Sequence, residues 1–406
     1  KKKVDFNRTI PDIFHYHYLC MNQTNHLCFY DDYYLCLCAE NYDRADCLIY
    51  NPQIDHCDRC FSMGKCLRDS PKIVNKFLCI CPSCHYGYRC EFNLQAFGFT
   101  LDSLLVDCSK TIKIVYTSIA FLLSMIGFIT NLCSWLTFIR PTPRKLGPGN
   151  YLLVLTCCNQ AALFCLLLKF SQITFGLANV YSCKIISYLL SVFTRSAYWL
   201  TSWVTVERLL IIIFPLSPTL KTPRIAIYLC IITSVGLFAI HIHELIHYTS
   251  IQHIPTSLSI CVTNYDSILI STYDRVTTLI HYLVPFIIQI IGITILIVLV
   301  SFSRKKTTKA KKTFSQVLTK QFQTQKELYI TPIIIILSAL PETIIAFSLV
   351  CTQLTNWQRH MLLDAYLLSY APQVLGFVLY VLPSTTYKKE FKKTSIAQKY
   401  FARFLT

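Results

Sequence analysis

Seven long apolar runs, separated by short polar spacers, constrain this chain more than any other feature. Their approximate extents are 112–139, 150–172, 183–211, 224–246, 276–301, 328–351 and 362–383. Each matches the roughly 20 residues that a helix needs to cross a bilayer, and hydrocarbon forces such a run to close its own backbone hydrogen bonds. The first run carries no charge from Ile114 to Ile139, and the fifth none from Val276 to Ser303. Only 15% of the residues are charged and 53% are hydrophobic, with a mean hydropathy of +0.45. A water-soluble chain would be nearer a quarter charged, so soluble globular and disordered folds are excluded.

The position of the charge orients the runs. Segments 139–150, 214–224, 302–327 and 384–406 hold 19 Lys/Arg against two acids, Glu327 and Glu390, which accounts for the whole net charge of +17. These segments follow runs one, three, five and seven. The positive-inside rule therefore predicts an extracellular amino terminus and a cytoplasmic carboxyl terminus. A nucleic-acid binder would not confine its surplus to such spacers. The 302–327 spacer is expected to extend its flanking helices. Beyond Pro383, Phe391, Ile396, Tyr400 and Phe404 recur at helical spacing among lysines, which predicts a cationic amphipathic helix along the inner leaflet, with anionic lipids as partners.

Cysteine divides the chain as sharply. Twelve of the 21 cysteines precede residue 91, a density that implies an oxidising compartment and a disulfide framework. The glycosylation acceptors Asn7-Arg8-Thr9 and Asn22-Gln23-Thr24 lie in the same region. The start at Lys1-Lys2-Lys3, without Met or an apolar leader, reads as processed or incomplete.

The spacing Cys57-x2-Cys60-x5-Cys66-x12-Cys79-x-Cys81, closing at Cys90 after Cys84-His85-Tyr86-Gly87, resembles an EGF-like domain. That resemblance implies pairing of Cys57 with Cys66, Cys60 with Cys79, and Cys81 with Cys90. Cys84 is extra, and Cys108 is a candidate partner for it. Upstream, Cys36-x-Cys38 followed by Cys47, with Cys28 and Cys20 ahead, resembles a second such module lacking its first cysteine. Zinc ligation by these cysteines is the competing reading, and a secreted-side location argues against it.

Within the apolar region, Cys183 opens the third run. Glu207-Arg208-Leu209 begins 24 residues later, Pro215 follows, and Cys261 lies in the spacer after run four. This pattern resembles rhodopsin-like G-protein-coupled receptors. The resemblance implies a Cys183–Cys261 disulfide and assigns Glu207 and Arg208 to the G-protein switch. Asn131, the stretch Leu155 to Asn159, Pro285, Pro341, Pro383 and Tyr387 also fall at family positions. The departures are specific. Asn159 stands for the usual Asp, which argues against a bound sodium ion. Ala339 stands for the Trp before Pro341, Leu382 replaces Asn, and Tyr387 comes one position late.

Charges inside apolar runs are expensive and point to function. Arg195 lies mid-run three and Glu342 follows Pro341 in run six. They are expected either to pair beneath a ligand pocket that also includes Thr194 and Tyr198, or to meet a charged ligand group. A purely structural pair is the alternative. At the end of run four, His243-Glu244-Leu245-Ile246-His247 fits the zinc-protease pattern His-Glu-x-x-His. No third ligand is evident, so the match reads as chance, with His241, His243 and His247 lining the mouth of the bundle.

Together these readings predict an all-α seven-transmembrane bundle preceded by small disulfide-rich EGF-like β modules. The expected domains are a Cys-rich partial EGF-like region 1–52, an EGF-like domain 53–92, a linker 93–111, the receptor domain 112–383, and a cytoplasmic amphipathic helix and tail 384–406. The expected role is a plasma-membrane receptor, not an enzyme, with neither metal nor cofactor and with no nucleic-acid partner. It would pass an extracellular signal, a neuropeptide among the candidate ligands, to a heterotrimeric G protein. Cell adhesion or ligand capture through the EGF-like modules is the alternative, and an intramembrane zinc protease a more remote one.

Overall fold

The computed structural model of the chain describes residues 2–3, 28–30, 34–38, 45–49, 59–62, 64–68, 77–82, 84–94, 100–145, 147–214, 222–253, 258–265, 267–307, 326–352 and 354–400. Asn7, Asn22, Cys20, Cys57, Pro215 and Phe404 lie outside the described residues. The chain divides into two compact units, Lys1–Gln95 with Asn264–Ile270, and Ala96–Thr263 with Ser271–Thr406.

The first unit is built from short strands: β1 (Lys2–Lys3), β2 (Cys28–Tyr30), β3 (Tyr34–Cys38), β4 (Ala45–Ile49), β5 (Lys65–Arg68), β6 (Phe77–Ile80), β7 (His85–Tyr86) and β8 (Phe92–Asn93). β1 to β4 form one sheet in chain order, and β5–β6 and β7–β8 are antiparallel pairs. Strands this short bury too little apolar surface to hold together alone, so disulfides take that part. Cys36 and Cys47 face each other across β3 and β4 and are bonded. Cys60 is bonded to Cys79 and Cys81 to Cys90. Cys66 and Cys84 are disulfide-bonded too. Cys108 is a free thiol, so it is not the partner of Cys84. Gly87 has φ +104°, and a Cβ there would also strike the Glu91 carboxylate, so the turn before Cys90 requires glycine.

The second unit is mostly helical. Its long elements are α2 (Lys110–Phe138), α3 (Gly147–Phe175), α4 (Val180–Ile213), α5 (Pro223–Ile240), α7 (Ile268–Thr307), α8 (Lys326–Ser348) and α9 (Asn356–Ser369). Shorter helices are α1 (Leu101–Leu105), α6 (Ile242–His247), α10 (Thr385–Lys392) and α11 (Ser395–Tyr400). Among the described residues, four stretches are long and apolar enough to cross a membrane: Lys110–Phe138, Gly147–Phe175, Pro223–His247 and Leu269–Leu296. On α2, Val115, Leu122, Met125, Ile126 and Ile129 lie on the surface, a belt that water would not tolerate and hydrocarbon does. The chain is a membrane protein. α3 is the most enclosed of the four stretches and packs against α2, α4 and α5.

Local chemistry sets the ends. Ser109 caps α2 by accepting from Ile112 N at 3.3 Å, and Asn179 and Ser182 form a capping box at α4, as do Thr355 and Gln358 at α9. The run expected over 362–383 is not one helix. Helix α9 stops at Ser369, a single turn Ala371–Val374 follows, and a π-type turn spans Phe377–Val381. Pro372 explains the break, since its ring lacks an N–H and obstructs the preceding turn. The segment expected as a linker over 93–111 contains α1, all five of whose residues are buried.

The aromatic side chains of the tail helix pack inward. Tyr387 packs edge-on against Phe138 with ring centroids 5.2 Å apart, and Phe391 against Phe377 at 4.7 Å. The apolar face of α10 thus covers the bundle, and full burial of Phe391 contributes about 2–3 kcal/mol. Glu390 is clamped by Lys393 Nζ at 2.6 Å and Arg140 Nε at 3.0 Å. The hydrogen bond from Lys393, aided by that from Arg140 and opposed by burial, holds its carboxyl below the ordinary value of 4.5. The unfolded chain therefore takes up the proton first, so the stabilisation is complete above 4.5 and fades as pH falls through the folded value. Thermal unfolding in lipid discs at pH 7 should show the wild type more stable than Glu390→Gln. That gap should close as the pH is lowered below 4.5; a gap that persists in acid would contradict the clamp.

Candidate functional site

Two buried ion pairs mark the end of the second unit where Cys183, in the first turn of α4, is bonded to Cys261. Cys261 lies in the ribbon of β9 (Tyr248–Gln252) and β10 (Ser259–Thr263), whose register pairs it with Ser250.

The first pair is centred on Arg195, 12 residues into α4 from Cys183. Helix α5 ends at Ile240, His241 leaves helical geometry, and the short α6 turns Glu244 back toward α4. Arg195 Nη1 donates to Glu244 Oε1 at 2.6 Å, and Nη2 donates to Thr278 Oγ1 of α7 at 2.9 Å. His241 Nδ1 lies 2.9 Å from Arg195 Nη1 and 3.1 Å from Glu244 Oε1. His243 reaches Asp274 Oδ1 with Nε2 and Ile240 O with Nδ1, both at 3.0 Å. Both partners are oxygen acceptors, which a doubly protonated ring satisfies. Two cations then face two carboxylates, a neutral balance suited to low dielectric. Trp199 Nε1 donates to His281 Nδ1 at 3.0 Å, and His281 stacks edge-on against His241.

Arg195 therefore does not pair with Glu342. The turn at His241 supplies a nearer carboxylate, whereas Glu342 on α8 accepts from Tyr282 OH of α7 at 3.3 Å. Tyr198 packs edge-on against Tyr282, centroids 5.5 Å apart, and lines a void of about 10 Å³, room for about one water. Thr194 reaches the Tyr370 hydroxyl, just beyond α9. Arg195 is thus drawn to Glu244, while Tyr198 and Glu342 both meet Tyr282.

The second pair is one that the sequence reading missed. Asp102 on α1 and Lys169 on α3 are both buried, with Lys169 Nζ 2.7 Å from Asp102 Oδ2 in an ion pair not aligned as a hydrogen bond. Lys169 Nζ donates to Ser187 Oγ at 3.0 Å, and Cys261 N donates to Asp102 Oδ1 at 3.0 Å. The signal was present: Lys169 is a lone base within run two, following Leu166-Leu167-Leu168, and Asp102 sits among Leu101, Leu104 and Leu105.

At the far end of α4, Glu207 is buried and packs on Gly147, the first residue of α3, where a Cβ would collide with Glu207 Oε1. A carboxylate there meets the positive end of the helix dipole. Pro341 lies within α8, whereas Pro383 falls between the π-type turn and α10, after the helix has ended. Asn131 Nδ2 donates to Gln160 Oε1 at 3.3 Å, and the Oδ1 atoms of Asn131 and Asn159 are buried without hydrogen-bond partners.

Ligand atoms of His241, His243 and Glu244 lie within 4.8 Å of one another. The zinc-protease pattern does not fit this geometry. Its second histidine, His247, is not in the cluster, its glutamate is engaged by a guanidinium, and both nitrogens of His243 already face oxygens. No family model and no curated protein matches the chain.

Replacing Glu244 by Gln leaves Arg195 buried without its counter-charge and should cost about 3–5 kcal/mol. The double substitution Arg195→Met with Glu244→Leu should recover most of that loss. Denaturation of the purified variants in lipid discs checks both.

Proposed function

We propose that the chain is a seven-helix plasma-membrane receptor of the rhodopsin-like type, with an EGF-like ectodomain outside and its carboxyl end in the cytoplasm. The observation that carries this reading is one helix. α4 holds Cys183, bonded to the ribbon, in its first turn, and Glu207-Arg208 near its other end. At 1.5 Å per residue the 25 residues from Cys183 to Arg208 rise about 37 Å, enough to set the disulfide at one membrane face and the switch pair at the other.

In this reading the seven apolar runs alternate across the bilayer, with α9 and the turns after it forming the last crossing. Glu207, seated on the start of α3, keeps the end near Arg208 closed. An extracellular ligand with higher affinity for an open state would shift the population toward it. A heterotrimeric G protein would then meet Arg208 and the basic spacers, which also suit anionic inner-leaflet lipids. Pro285 and Pro341, within α7 and α8, are places where a helix can bend during that shift.

G-protein activation in cells displaying the full-length chain, with neuropeptide and amine libraries applied, tests the reading. A response that Arg208→Ala abolishes at unchanged surface level is expected. A silent but well-displayed chain would overturn it in favour of adhesion through the disulfide-rich modules.

A further inference from the structure

A five-residue helix cannot hold its own shape in water, because nucleation costs more than so few hydrogen bonds return. Helix α1 exists through what surrounds it. Leu101, Leu104 and Leu105, at positions i, i+3 and i+4, are buried in the cluster that contains Phe170, Ile173, Leu190, Leu362 and Leu363. Asp102, 1% exposed, is held by Lys169 and the Cys261 N–H, while Lys169 is itself held by Ser187. Lys113 Nζ donates to Val106 O at 2.9 Å at the helix end, and Asp107 Oδ2 meets Arg359 Nη1 at 3.3 Å beyond it. Thr100 caps the start by accepting from Ser103 N at 3.2 Å.

Apolar anchors on one helical face, flanking a single charge clamped in a desolvated pocket, are how a groove recognises a short helical peptide. A segment needed only for packing would do as well with an apolar residue in place of the buried pair. The pair fixes one register and demands an acid at one position.

We propose that this end of the bundle is a binding site for a short, leucine-rich acidic peptide, and that α1 occupies it in cis. Lys169 and the Cys261 N–H read the acid, Lys113 reads the last carbonyl, and Arg359 reads a second acid. A peptide of the same class arriving in trans competes with α1 for this site. The signalling meaning of that exchange rests on the receptor reading above; the binding does not.

The test uses the full-length protein in lipid discs and a fluorescent synthetic copy of residues 100–107. In the variant carrying Asp102→Asn and Leu104→Ser the internal segment is weakened. It should bind the copy at least tenfold more tightly than the wild type, and adding Lys169→Met should undo that gain. A weakened variant that keeps the Cys183–Cys261 bond yet binds the copy no better than wild type overturns the proposal, as does binding indifferent to Lys169→Met. Should the weakened variant fail to fold, hydrogen exchange on the wild type decides. Millimolar copy should speed exchange at Leu104, Leu105 and Val106 without changing α2, and unchanged exchange there overturns the proposal. Peptide binding without any G-protein response would sink the receptor reading alone. An Arg208-dependent response without peptide binding would sink only this one.

Discussion

A charge placed in hydrocarbon has no water to turn to, so it must find its partner inside the protein. That constraint sets much of the architecture of the second unit. Arg195 ties α4 to α6 through Glu244 and to α7 through Thr278. Lys169 ties α3 to α1 through Asp102 and to α4 through Ser187. Such pairs add little to stability compared with apolar packing, because both partners lose their hydration. What they supply is register, since a helix that slid by one turn would leave a bare charge behind.

The same economy of partners explains the ends of the helices. α2, α4 and α9 each begin at a side chain that takes up a free N–H, and α9 ends where Pro372 has none to offer. At the end near α10, Tyr387 and Phe391 turn inward to Phe138 and Phe377. The lysines around them stay outside while Glu390 is drawn in by Arg140.

Most of this fold was legible as hydropathy. The run read over 112–139 is the helix Lys110–Phe138, and that over 150–172 is Gly147–Phe175. Breaks were harder to read. The run over 224–246 bends at His241, a residue that local propensity does not mark, and the last run breaks at a proline inside an otherwise apolar stretch. The candidate site was half visible. Arg195 stood out as a buried base, but its partner lay within a motif that pointed to another chemistry, and three-dimensional proximity, not spacing, joins Glu244 to it. Lys169 sat near the end of a run, where a lysine is ordinarily free to snorkel. Only a fold that brings Asp102 over it turns that lysine inward.

The disulfide between α4 and the ribbon has a role beyond holding a loop. Cys261 is bonded through sulfur to Cys183 and through its backbone N–H to Asp102, so one residue joins covalent and electrostatic restraint. A thiol reductant acting on that bond would leave the strand that presents the N–H held by its pairing with β9 and by Asp102. The second support of Asp102 would then rest on hydrogen bonds alone, which couples the charge clamp to the redox state of its surroundings although neither charged group is itself redox-active.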